Sequence, residues 1–159
     1  MCSSDLVDFM VPKGPETQAV AEVLQAMAGE IGIDLKIRVT EFATSLKQAE
    51  AGEYQAYFLD WSGRTDPDGN VYVFYICNGP QNNPAYCNPV VDRLLDESRI
   101  AGDLAARKAI YQKATKIILE DDPRLYVYHR RVLIAHTARL EGYKQMADGL
   151  VRVVGLRLK

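Results

Sequence analysis

The sequence predicts an α/β fold, and three successive patterns carry that expectation. The apolar run Leu6-Val7-Asp8-Phe9-Met10-Val11 reads as a buried strand, closed by the turn residues Pro12-Lys13-Gly14-Pro15. From Glu16, the residues Val20, Val23, Leu24, Met27 and Ile31 recur at helical spacing as one apolar stripe, which Gly32 ends. Ile33, Leu35, Ile37 and Val39 then alternate with Asp34, Lys36, Arg38 and Thr40, the period-two signature of a strand with one face buried.

Further elements follow in order. Ser45 with Gln48 three residues later fits a capping box and predicts a short helix ending near Gly52. Residues 54–61 read as a third, aromatic-rich strand, so the strand–helix–strand–helix–strand order implies right-handed crossovers and an α/β sheet. Residues 62–89 are dense in Gly, Asn, Asp and Pro and are expected to form one long connection of the kind kept for function. Asn88-Pro89 has the form of an N-cap and a first-turn proline, predicting a helix to roughly Ile100. Gly102-Asp103 opens another helix with Leu104, Ile110, Tyr111, Ala114, Ile117 and Ile118 on its apolar face, and Asp121-Asp122-Pro123 breaks it. Residues 125–128 and 132–135 are short strand candidates, and residues 151–158 alternate apolar positions with Arg152, Gly155 and Arg157.

Composition removes several classes of function. Lys and Arg total 19 against 21 Asp and Glu in 159 residues, a formal net charge of −2, without the basic excess that a dedicated nucleic-acid binder uses on phosphates. Apolar residues at 48% and charged residues at 25% suit a packed globular domain rather than a disordered chain. No run approaches the roughly 18 apolar residues of a spanning helix. Met1-Cys2-Ser3-Ser4-Asp5-Leu6 has neither a basic start nor an apolar stretch and does not read as a signal peptide.

Candidate chemistry is sparse. Cys77 and Cys87 lie ten apart in a Gly/Asn/Pro-rich loop, a separation that a disulfide spans, and two unpaired loop thiols are the alternative. A disulfide there would place the protein outside the cytosol. Zinc would need further Cys or His at short spacing. His129 and His136 are seven apart with no ligand-spaced partner, so structural roles are expected; a Cys87–His129 thiol or hydrolase-like enzyme is the alternative function and lacks a third, orienting group. The densest cluster is Asp60-Trp61-Ser62-Gly63-Arg64-Thr65-Asp66-Pro67-Asp68-Gly69-Asn70, placed where a strand ends, as ligand sites in open α/β sheets are. Trp61 offers a stacking face and Arg64 a planar fork for a carboxylate or phosphate. The same residues also read as a plain turn, with Asp66 and Asp68 bonding local backbone and Asp68 or Gly69 leading into a helical turn. Calcium binding by Asp66, Asp68 and Asn70 lacks the later ligands of an EF-hand.

Four segments in this order resemble the extracellular solute-binding proteins of the peptide/nickel/glutathione class that serve ABC importers, family 5. They are residues 57–68 with Tyr57-Phe58-Leu59-Asp60-Trp61, residues 82–97 with Asn82-Asn83-Pro84-Ala85-Tyr86-Cys87-Asn88-Pro89, the helix from Ala105 into Glu120-Asp121-Asp122-Pro123, and Val127-Tyr128-His129. The resemblance implies the C-terminal lobe of a type II periplasmic-binding-protein-like clamshell, a mixed sheet flanked by helices. It implies residues 7–135 as the α/β lobe, residues 136–159 as a return segment toward the other lobe, and residues 1–6 as a non-native or truncation-derived leader. It also implies a non-enzymatic protein without cofactor or metal, monomeric when full length, in the periplasm or on the outer face of the membrane, handing a small ligand to a permease. Paired cysteines in family members support a Cys77–Cys87 bridge.

The resemblance implies ligand contacts at Trp61, Ser62, Gly63, Arg64, Asp66, Asp68 and Tyr86. Peptide-binding relatives carry an aspartate three positions after the tryptophan, for the ligand's α-amino group, and here that position is Arg64. A guanidinium repels an ammonium, so a carboxylate-bearing peptide derivative, a glutathione-like thiol peptide or an opine is expected in place of a simple dipeptide. Asp66 and Asp68 are expected to hold Arg64 in place.

Overall fold

The computed structural model describes residues 5–146 and 148–159, in two compact units that divide between Trp61 and Ser62. Residues 1–4 of the expected leader, Cys2 among them, lie outside the described residues.

In the first unit, β1 (Asp5–Pro12) is the central strand of a three-stranded sheet, parallel to β2 (Ile33–Thr40) on one side and to β3 (Ala56–Tyr57) on the other. Pairing with β2 runs from Asp5 opposite Ile33 to Pro12 opposite Thr40. The crossover is α1 (Pro15–Glu30), with Pro15 in the first turn, where a missing N–H leaves no bond unmade. Gly32 reverses the chain after it with φ +85°. Phe9 and Val11 are buried with Ala21 and Phe58, and Val20, Leu24, Leu35 and Ile37 pack around them. The contact line on α1 therefore runs through Val20, Ala21 and Leu24. The outer part of the predicted stripe is exposed, Ile31 by 75%.

On the opposite face of the sheet lies an ion pair. Arg38 donates from Nε and Nη2 to the Asp8 carboxylate at 2.8–3.1 Å and from Nη1 to Gln48 at 2.9 Å, so the predicted alternation on β2 fails at its end, where Val39 is exposed and Arg38 half-buried. The helix after β2, α2 (Phe42–Glu50), begins a turn before the predicted capping box. Ser45 lies inside it, fully buried, with its hydroxyl donating to the Phe42 carbonyl at 2.7 Å and bonded to the Tyr57 hydroxyl at 3.0 Å. A polar side chain that satisfies itself in this way is tolerated within a helix, and the predicted cap is corrected to a buried tie. The third strand keeps only two of its predicted eight residues, and the Phe58 N–H extends it with a 3.0 Å bond to the Met10 carbonyl.

The second unit is built on α3 (Asp68–Tyr75), α4 (Pro89–Ile100) and α5 (Leu104–Asp121). α3 falls inside the stretch predicted to be an irregular connection. The starts of α4 and α5 match prediction, since Asn88 Oδ1 accepts from the Val90 N–H at 3.0 Å and Asp103 Oδ2 from the Ala106 N–H at 2.7 Å. Asp122, with φ 44°, turns the chain out of α5. Phe74, Tyr75, Val91, Leu95, Ala114 and Ile118 form the core, while Leu104, predicted for the apolar face, is 80% exposed. Residues 125–135 form no strand, because neither candidate finds a partner among the described residues, and an extended segment without a ladder is not a strand. Of residues 151–158, two form β5 (Arg157–Leu158), antiparallel to β4 (Leu140–Glu141).

Candidate functional site

Trp61 closes the first unit and is 40% exposed. The second unit opens with a turn whose centre is Arg64. Gly63 has φ +75°, a left-handed conformation that suits glycine and redirects the chain just before Arg64. The Arg64 N–H donates to Asn70 Oδ1 at 2.6 Å, and Asn70 Nδ2 donates back to the Arg64 carbonyl at 2.8 Å and to the Asp66 carbonyl at 3.1 Å. One carboxamide thus grips both polar groups of the Arg64 main chain. The guanidinium donates from Nη1 to the Gly63 carbonyl at 2.7 Å and to Ser62 Oγ at 3.1 Å. A Cβ on Gly69 would stand 3.0 Å from Arg64 Cγ, so the arginine stem rests on bare backbone.

Asp66 and Asp68 do not hold Arg64 as expected. Arg107 on α5 donates from Nη1 and Nη2 to the two Asp66 oxygens, each at 2.8 Å, and Asp66 Oδ1 also accepts from the Asp68 N–H at 2.8 Å. A bidentate guanidinium–carboxylate pair satisfies both partners at once, which is why the more distant arginine takes Asp66. The Arg107 hydrogen bonds, helped by the Asp68 N–H, hold the Asp66 carboxyl down at about 2. Arg107 is anchored in turn by its Nε, which donates to the Ser98 carbonyl at 3.1 Å. Asp68 pairs with Arg99 on α4 at 3.0 Å, and that guanidinium lies 3.7 Å from the centre of the Tyr72 ring.

Tyr86 belongs to a different cluster. Its ring meets Tyr75 edge-on at 6.2 Å between centroids, and its hydroxyl donates to Asp121 Oδ2 at 2.6 Å, an oxygen that also accepts from Asn88 Nδ2 at 2.8 Å. Burial first, and then this bond to a carboxylate, push the Tyr86 phenol well above its ordinary value. Cys77 and Cys87 are joined by a disulfide, with Cα atoms 4.4 Å apart. Between them, buried Asn82 donates to the Ile76 carbonyl at 2.9 Å and the Tyr86 carbonyl at 2.6 Å and accepts from the Tyr86 N–H at 3.1 Å. The disulfide removes the thiol on which the Cys87–His129 alternative depended. His136 lies against Tyr143 at 5.5 Å between ring centroids, with its Nδ1 3.0 Å from the Thr137 carbonyl oxygen. Among the described residues, no three His, Cys, Asp or Glu gather as metal ligands.

Ser62, Gly63, Arg64, Asp66 and Asp68 are therefore parts of one bonded turn in the second unit. Sequence reasoning missed the residues that build it. Asn70 entered as the end of the cluster and as a discarded calcium ligand, not as the residue that holds Arg64, and nothing local links Asp66 to Arg107, 41 residues away.

The architecture is that of a type II periplasmic binding protein. HbpA2 from Haemophilus parasuis shares it with a TM-score of 0.77 at 23% identity, over 97% of this chain and 32% of that one. The model of bacterial extracellular solute-binding proteins, family 5, matches residues 5–82, a span that includes the Arg64 turn and α3. The dipeptide-binding protein of Pseudomonas aeruginosa is 29% identical over 136 residues, which are 84% of this chain and 26% of that protein. The ABC transporter-associated periplasmic binding protein DppA from Helicobacter pylori, solved in complex with the peptide STSA, has a TM-score of 0.66 at 30% identity over 74% of this chain and 24% of that one. Residues 5–82 are those of a family 5 solute-binding protein, and the chain spans about a quarter of the length of the curated relatives it matches.

Proposed function

We propose that this chain is part of the binding component of an ABC importer, and that the turn from Trp61 to Asp68 contacts a peptide-like or anionic solute. The observation that carries this reading is the clamped Arg64 in a chain whose relatives include a dipeptide-binding protein and a protein solved with a bound peptide. A fixed guanidinium favours a carboxylate and disfavours an ammonium. Ser62 and Gly63 supply the local frame of Arg64, and Asp66 and Asp68 the shape of the turn, whereas Tyr86 stands in its own cluster with Tyr75 and Asp121. Residues 7–135 form the lobe and residues 136–159 the return segment. The protein performs no covalent step; it closes by a hinge over the solute and delivers it to a permease, as a monomer in the periplasm or on the outer face of the membrane. A periplasmic setting is supported by relatives described as periplasmic and by the disulfide.

Isothermal titration of the intact protein with trialanine, N-acetyl-trialanine, trialanine amide, glutathione, an opine and glucose tests the reading. Heat is expected with the free carboxylates and is lost with the amide, and Arg64→Ala weakens binding by about 1–3 kcal/mol, the range of a charged hydrogen bond. Silence across all probes refutes the binding role. Unchanged affinity in Arg64→Ala leaves the turn purely structural.

A further inference from the structure

We infer that Asn70, backed by the Asp66–Arg107 pair, is the positioning residue that fixes Arg64 for ligand capture, an inference that rests on the role proposed for Arg64 above. Asn70 is in the first turn of α3, where its own N–H bonds the Pro67 carbonyl at 3.0 Å. Asparagine is a weak helix former whose amide competes for backbone. Here the amide is turned back across six residues, where Oδ1 accepts from the Arg64 N–H and Nδ2 donates to the Arg64 and Asp66 carbonyls. A carboxamide is the neutral side-chain group that offers an acceptor and a donor side by side, matching the N–H and C=O of a single residue. The residue it matches here is Arg64.

The layer behind it addresses the turn as a whole. Arg107 grips both oxygens of Asp66 from α5 and the Ser98 carbonyl at the end of α4, so the loop is fastened to the corner where those helices meet. Gly69 completes the frame, since any side chain there would displace the arginine stem. A long side chain held on a fixed main chain loses less freedom on binding, and the gain appears as affinity.

The test is a double-mutant cycle in the intact protein, titrated with N-acetyl-trialanine and with glutathione. Asn70→Ala is expected to weaken binding about tenfold through misplacement of the Arg64 guanidinium, and the Arg64→Ala/Asn70→Ala double variant to bind no more weakly than Arg64→Ala alone. Arg107→Lys, which keeps the charge and loses the fork, falls between wild type and Asn70→Ala. Exchange of the Arg64 amide proton accelerates in Asn70→Ala and stays slow in Arg107→Lys. If Asn70→Ala weakens binding equally in the Arg64→Ala background, or leaves it unchanged while Arg64→Ala lowers it, the positioning role is overturned and the ligand role of Arg64 stands. If Arg64→Ala leaves binding unchanged, or wild type binds neither probe, both fall together. Should Asn70→Ala fail to fold, Asn70→Asp, which retains the acceptor and loses the donor, takes its place in the cycle: non-additivity with Arg64→Ala supports the positioning role, and additivity overturns it.

Discussion

Replacing Cys77 and Cys87 together by serine opens a closed loop of ten residues and leaves the native contacts around it in place. The chain-entropy model assigns such a loop about 2.7 kcal/mol at 25 °C, all of it arising from the freedom regained by the unfolded chain. The structure explains why the native side should change little. Asn82 ties the loop at three points, and the Cys77 N–H donates to Asp92 Oδ1 at 3.0 Å, so its path is fixed by hydrogen bonds that do not involve sulfur. Guanidinium unfolding of the intact oxidised protein and of the double serine variant measures the loss, and hydrogen exchange at the Tyr86 amide measures whether the loop keeps its native form. The expected result is a lower midpoint with an unchanged slope and a Tyr86 amide that remains protected below the transition. A loss under about 1 kcal/mol would show that the unfolded loop is already constrained, contrary to the entropic account. Loss of Tyr86 protection would show that the bond, not Asn82, dictates the loop.

Two further outcomes test the packing and the charges. Leu95, fully buried among Phe74, Tyr75, Val91, Ala114 and Ile118, should lose about 3 kcal/mol of stability on truncation to alanine, read from urea unfolding; a loss below about 1 kcal/mol would mean the three helices do not close on it. The hydrogen bonds from Arg38 hold the Asp8 carboxyl below its ordinary value of 3.8, so this pair stabilises the folded state fully above that value and progressively less as pH falls through the depressed one. Asp8→Asn should flatten the acid limb of stability against pH below about 4, and an unaltered limb would contradict the pairing.

The parts of the fold that could be read from sequence are those whose cause is local. Asn88-Pro89 and Asp103 cap their own helices, and Pro123 follows α5 closely. The parts that could not be read depend on distant residues. Ser45 has the chemistry of a cap, but Tyr57, twelve residues on, draws its hydroxyl into a buried bond. The first turn of α3 holds Asp68, Gly69 and Asn70, weak helix formers, and the helix is held by burial of Phe74 and Tyr75 against Val91 and Leu95. Residues 125–135 have strand composition, yet a strand is a relation to a neighbour and not a property of a segment. The turn followed the same rule. Its position after a strand and its mixture of Trp, Arg and Asp were visible, whereas the identity of the partner of each charge was not.

The partners of those charges bear on the chemistry of the turn. Along the sequence Asp66 and Asp68 outnumber Arg64, the residue for which an anionic ligand is expected. In the folded unit Asp66 is paired with Arg107 and Asp68 with Arg99. Asp66 has both oxygens in a guanidinium fork, and its carboxyl remains ionised down to about pH 2, so it is spoken for at any working pH. An approaching ammonium would meet carboxylates whose charge is already offset by a guanidinium each, which weakens their attraction for it. A carboxylate is correspondingly less repelled by Asp66 and Asp68, because each is paired with its own arginine. The proposed preference for an anionic group over a free amino terminus, which rests on Arg64, is thus reinforced by two arginines, 99 and 107, that lie outside the motif and need not touch the ligand.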